Sequence, residues 1–215
     1  MNSAVAQLDE YKDGANFSQD GFVRDNSWNG RERNLLFMNL GEGVFSDAAR
    51  PLGCDEVEES RGVAMADLDC DGRLDIVLSN NDAAPTVYLN RLPGTGNWCR
   101  FELLGRAQDR APTSSRDALG TRVVATVFRK GSEQRLVREA IAGGGYAAQS
   151  QSGVHFGLGP EGILTGLEIT WPSGEVANLG QAELAKVTNS SWIIEEGRES
   201  ELKPWPVSAP ALAGD

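Results

Sequence analysis

Apolar and polar residues alternate along much of this chain with a period of two, the pattern of strands that bury one face. Ala118–Phe128 alternates, turns at Arg129-Lys-Gly-Ser-Glu133 and returns through Gln134–Ile141, which predicts a hairpin with one face on a core. The glycine-rich stretch Gly143–Ser150 reads as a flexible loop, and Gly153–Gly159 and Gly166–Gly174 as two more strands, the latter closed by Pro172-Ser-Gly174. Upstream, alternating residues in Arg61–Ala66 and the apolar Ile76-Val-Leu78 predict a strand on either side of a tight loop. Nowhere is there the run of about 18 apolar residues that a membrane-spanning helix needs, so no membrane span is predicted.

Two segments echo each other. Asn34-Leu-Leu-Phe-Met-Asn39 leads into Leu-Gly-Glu-Gly-Val-Phe-Ser-Asp47, and Thr86-Val-Tyr-Leu-Asn90 leads into Arg-Leu-Pro-Gly-Thr-Gly-Asn-Trp98. Each reads as an apolar, aromatic strand ending in Asn, then a Gly-x-Gly hairpin turn, then an aromatic residue. The period of about 50 residues is in the range of propeller blades.

Between the two copies lies Asp67-Leu-Asp-Cys-Asp-Gly-Arg-Leu-Asp75. Its acids fall at relative positions 1, 3, 5 and 9, with Gly72 at the bend and Arg73 at position 7. Calcium takes about six to eight oxygen ligands at about 2.3–2.6 Å, and such a loop supplies most of that shell from carboxylates and one carbonyl. The crowded like charges repel unless a counter-charge sits among them, and a divalent cation is the simplest remedy. The loop is not an EF-hand: position 12 is Leu78 instead of Glu, and strands flank it where helices would be required.

The run Asn34–Asp47 followed by Arg61-Gly-Val-Ala-x-Ala-Asp-Leu-Asp-x-Asp-Gly-x-x-Asp-Ile-Val-Leu-Ser-Asn80 resembles the FG-GAP/VCBS repeat of integrin-type propellers, over about residues 30–92. The resemblance implies a calcium site within a blade, with side-chain ligands Asp67, Asp69, Asp71 and Asp75 and the carbonyl of Arg73. Farther on, Leu119-Gly-x-Arg-Val, Gly143-Gly-Gly-Tyr-x-x-Gln-Ser150, Val154-His-Phe-Gly-Leu-Gly159 and Leu167-Glu-Ile-Thr-Trp-Pro-Ser-Gly-Glu-Val176 occur in order. Together they resemble the ASPIC/UnbV domain, over about residues 96–197; that domain typically follows VCBS repeats in cartilage-acidic-protein-like chains. The expected fold is mainly β: an incomplete, propeller-like repeat unit (1–95) packed on a small antiparallel β-sandwich or barrel-like domain (96–197). The Pro- and Ala-rich 198–215 reads as an extended tail, either disordered or docked on the body or on a partner through Trp205, which stands between two prolines.

Composition narrows the function. A net charge of −11 argues against nucleic acid or an anionic membrane as partner. No basic and apolar leader is visible at Met1–Glu10, so the chain is expected to be cytoplasmic if complete, and extracellular or periplasmic if processed. Cys54, Cys70 and Cys99 are too few for a disulfide framework and too scattered for zinc, although a Cys54–Cys99 bridge is conceivable. Cys70 should point away from the ion, and Cys99 should be a buried small hydrophobe.

No catalytic constellation stands out. His155 is the lone histidine, which excludes a zinc site with two or three histidines and favours a packing role. The polar cluster Asp25–Arg33 places Trp28, Arg31 and Arg33 together, either to grip an acidic ligand or to pair with neighbouring acids. Tyr146 and Gln149, on the glycine-rich loop, and His155 complete the candidate ligand-binding residues. The leading reading is a calcium-stabilised binding or assembly protein that presents loops or strand edges to a protein partner or to itself. One alternative is a calcium-dependent enzyme of a bacterial biosynthetic pathway. Another is a carbohydrate-binding module using exposed Trp28, Trp98 and Trp205. A small-molecule or glycan ligand fits either alternative.

Overall fold

The computed structural model describes residues 32–81, 83–94, 96–106 and 113–205. Contacts divide the chain into two compact units: residues up to Arg61 with Ser79–Pro85, and Gly62–Leu78 with Thr86 onward. The boundary expected near residue 95 lies inside the second unit. Trp28 and Arg31 fall outside the described residues.

In the first unit, β1 (Phe37–Gly41) and β2 (Val44–Asp47) form an antiparallel pair. The turn between them carries three successive positive φ angles, at Gly41, Glu42 and Gly43. Two of the three are glycine, which takes that region without a Cβ penalty. A short helix, α1 (Ala49–Leu52), follows and ends on left-handed Gly53. The Asp47 carboxylate accepts from the backbone N–H groups of Leu36 and Ala49, fixing the hairpin to the helix start.

A three-stranded sheet has the order β3 (Ser60–Ala66), β4 (Asp75–Asn80), β5 (Thr86–Tyr88), with the acidic loop joining its first two strands. The second Gly-x-Gly segment does not make the expected hairpin. After it, β6 (Asn97–Leu104) leaves β5 and enters a different sheet. The reason lies in its side chains: Cys99, Phe101 and Leu103 point to one face by the period-two rule, and all three are buried in the main core.

That core lies between two four-stranded sheets of the second unit. One has the order β11 (Val176–Gly180), β10 (Ile163–Thr170), β7 (Arg122–Arg129), β8 (Ser132–Glu139). The other runs β13 (Lys203–Pro204), β12 (Ser190–Glu195), β6, β9 (Val154–Gly159). The β7–β8 hairpin predicted from alternation is present, with Arg129 paired to Ser132 beside its turn. On β10 the buried residues are Leu164, Leu167 and Ile169, a spacing of three and then two. A bulge between Leu164 and Gly166 absorbs the extra residue and keeps all three inward.

The architecture is a β-sandwich with no closed barrel among the described residues, and one pairing departs from the antiparallel expectation. Strands β6 and β12 run parallel, from Ser190 opposite Cys99 to Glu195 opposite Leu104. The segment read as a tail also joins this sheet: Lys203–Pro204 pairs with β12, and the Trp205 N–H donates to the Ser191 carbonyl at 2.8 Å. Trp205 then stands against the guanidinium of Arg100, 5.3 Å from its ring centroid. A second short helix, α2 (Gln181–Leu184), seats Leu184 in the core. Among the described residues no helix is long and apolar enough to cross a membrane.

Candidate metal centre

The turn from β3 to β4 is short and acidic, so its geometry is set by how the backbone N–H groups and the carboxylates share bonds. Asp67 closes the loop on itself: one carboxylate oxygen accepts from the Asp71 N–H at 3.0 Å and the other from the Gly72 N–H at 2.9 Å. Asp71 accepts from the Arg73 N–H at 2.8 Å. These bonds bring Asp67, Asp69 and Asp71 together, each offering a carboxylate oxygen within 4.8 Å of the others.

Asp75 stands apart from that trio. It is buried, with one oxygen accepting from the Leu68 N–H at 2.9 Å and the other from the Asn90 N–H at 2.7 Å. Its carboxylate thereby ties the loop to the chain just after β5. Arg73, expected to supply a carbonyl, places its guanidinium on the outer oxygen of Asp71. Arg91 pairs with Asp69 at 2.9 Å. The protein therefore supplies part of the counter-charge itself.

The balance of bonds around the trio is nonetheless incomplete. Oδ1 of Asp69 is buried and has no hydrogen-bond partner among the described residues. An ionised oxygen removed from water without a partner is costly, by about 1–3 kcal/mol or more. Burial also lifts Asp67 above the usual carboxylate range, against the two backbone N–H bonds, and its Asp71 and Asp69 neighbours add to the rise. An oxygen-rich pocket with one unsatisfied acceptor suits a hard cation. Asp67, Asp69 and Asp71 would hold it through side-chain oxygens.

The loop rests on the sandwich. Gly72 has φ +88°, and a Cβ placed there would lie 1.9 Å from the indole Nε1 of Trp98. Trp98 stacks on His155 with ring centroids 5.7 Å apart and planes 10° from parallel. His155 Nε2 lies 3.0 Å from the Gly72 carbonyl; a carbonyl only accepts, so this nitrogen carries the proton. Burial lowers the His155 pKa below the ordinary imidazole value, partly offset by that bond. His155 thus joins Trp98 of the sandwich to the acidic loop.

The glycine-rich loop meets the end of β3 through residues other than those singled out. Tyr146 and Gln149 are exposed. Ser150 accepts from the Met65 N–H at 3.1 Å, and the Gln151 side chain accepts from the Asp67 N–H at 3.0 Å. Arg33, in the first unit, is held by Asp55 at 2.9 Å, consistent with pairing to a neighbouring acid. All three cysteines are free; Cys70 is exposed, and burial pushes the Cys99 thiol up to about 12, leaving it inert.

Glu196 lies outside every motif of the sequence. Only 4% exposed, it accepts from the Arg106 and Ser114 N–H groups and from the Ser114 and Ser173 hydroxyls. Although burial opposes ionisation, these four bonds hold its carboxyl below the usual glutamate value. Such a group stabilises the fold above its unfolded pKa, and that stability is lost as pH falls through the lower folded pKa. Glu196→Gln should therefore be less stable than wild type near pH 7, with the gap narrowing below about pH 4.5. Urea unfolding at several pH values measures this, and a gap that does not change with pH would refute it.

Residues 111–201 match the family model of ASPIC and UnbV. Among curated proteins, cartilage acidic protein 1 of Xenopus tropicalis is 31% identical over 140 residues, covering 64% of this chain and 19% of that protein. Its human counterpart is 46% identical over 57 residues, 26% of this chain and 9% of the relative. The chain spans about a fifth or less of the length of these relatives.

Proposed function

We propose, from the ASPIC and UnbV match over residues 111–201, that this chain is a calcium-stabilised, β-rich interaction protein of the extracellular space. In this reading Asp67–Asp75 is a calcium loop inside an FG-GAP/VCBS-like blade, and the ion is a rivet, not a switch. The observation that carries it is the buried Asp69 Oδ1, without a hydrogen-bond partner among the described residues, beside the oxygens of Asp67 and Asp71. Calcium when bound would add positive charge to that of Arg73 and Arg91 and give the unpaired oxygen a ligand bond.

The setting agrees. Weak calcium modules with Kd of about 10⁻⁴–10⁻³ M suit fluids outside cells. Both relatives described above carry the words "cartilage" and "acidic" in their name, and this chain too is acidic, at −11. Exposed apolar residues on β1 and β2, among them Phe37, Leu40 and Phe45, support a role in assembly or partner binding.

Thermal unfolding in calcium and in chelator tests the rivet. A ligand at about 100 times its Kd adds about 2.7 kcal/mol, so the midpoint should rise by several degrees. Asp69→Asn should remove most of that rise. Equal midpoints for the wild type in calcium and chelator would overturn the proposal.

A further inference from the structure

We infer that His155 and Gln151 of the sandwich preset the Asp67–Asp75 loop for its cation, so that calcium affinity belongs to the whole unit and not to the loop alone. This rests on the calcium reading above and extends it to residues outside the acidic motif.

The bonds fall at the two places where the loop must be shaped. At its entry, Gln151 Oε1 accepts the Asp67 N–H at 3.0 Å, while the Gln151 N–H donates to the Met65 carbonyl at 2.9 Å. At the bend, one peptide plane is gripped at both ends. Its carbonyl, on Gly72, accepts from His155 Nε2 at 3.0 Å, and its N–H, on Arg73, donates to Asp71 at 2.8 Å. A peptide group is rigid, so fixing the Gly72 carbonyl also fixes the direction from which Asp71 is held.

His155 is itself immobilised. Its ring lies flat on Trp98, and Trp98 fills the space where any Gly72 side chain would stand. Trp98 is fixed in turn by reciprocal bonds with Asn189, its N–H donating at 3.1 Å and its carbonyl accepting at 2.7 Å. The acids consequently meet an ion already ordered, which removes an ordering cost from binding. By linkage, the bound ion stabilises the sandwich by the same free energy with which the sandwich favours the ion.

The test separates donor from ring. His155→Phe keeps a flat ring for Trp98 but has no proton for Gly72, whereas His155→Gln keeps an N–H donor and loses the ring. Calcium chloride titrated into the full chain by calorimetry should give about tenfold weaker binding for His155→Phe, as for partners that orient metal ligands. His155→Gln should stay within about threefold of wild type, and Gln151→Ala should lose about tenfold. The calcium-free melting point of His155→Phe should remain close to wild type, which a merely structural role would not predict. Equal affinities for wild type, His155→Phe and Gln151→Ala would overturn the inference while leaving the calcium site standing. Should His155→Phe not fold, Gln151→Ala decides alone. No calcium binding by the wild type would instead overturn the calcium reading beneath it.

Discussion

Gly72→Ala is expected to destabilise the sandwich-bearing unit by about 2–5 kcal/mol and to weaken calcium binding with it. Two independent costs combine. Alanine at φ +88° sits in backbone space that L-residues rarely occupy. Its Cβ would also lie 1.9 Å from Trp98 Nε1, so the indole, or the loop, has to move. Moving either one breaks the stack on His155 or the bond from His155 to Gly72. Urea unfolding with and without calcium measures both parts. Wild-type stability in the variant would mean that the loop does not rest on Trp98 as described.

Phe101→Ala should cost about 3–5 kcal/mol, the range for removing a fully buried aromatic side chain. Phe101 is wholly buried near the middle of β6 and meets Phe156 of β9 at 6.4 Å between centroids, with planes tilted by 59°. The site cannot easily collapse. Close beside it, a Cβ on Gly153 would lie only 2.5 Å from the Phe101 carbonyl, so the strand backbone is already pressed against its neighbour. The denaturant midpoint should fall with little change in slope. A loss below about 1 kcal/mol would mean that the two sheets do not pack through this residue.

Alternation made the sandwich legible where a strand keeps one face inward, as on Ala118–Phe128 and its return. It misled at the second repeat, because Arg91–Trp98 carries the local signs of a hairpin while its destination is set by the residues that follow. Cys99, Phe101 and Leu103 gain far more by entering the core than by pairing back on β5. The acidic trio was legible because its spacing is local. Asp75 was not separable from it by spacing, since its actual donors, Leu68 and Asn90, are backbone groups.

Glu196 and Gln151 were invisible for a related reason. Their partners lie far away in sequence, 82 positions for Ser114 and 84 for Asp67, and no pattern within a window connects them. One partial signal was available for His155. It falls in a strand whose inward residues, Val154, Phe156 and Leu158, are apolar, so its own ring points away from that core, where something polar must receive it.

The parallel contact between β6 and β12 sets a timetable. Cys99 and Ser190 are neighbours in the sheet, yet the ribosome makes them 91 residues apart. At about 5–20 residues per second, β6 waits for at least several seconds with its long edge uncovered. During that interval the acidic loop already exists, but His155 and Gln151, which hold it, are still to come. A nascent chain of this kind gains the loop's support only once Gln151 and His155 have been made, and a chain stopped between them and β12 would keep those two residues yet leave β6 without its parallel neighbour.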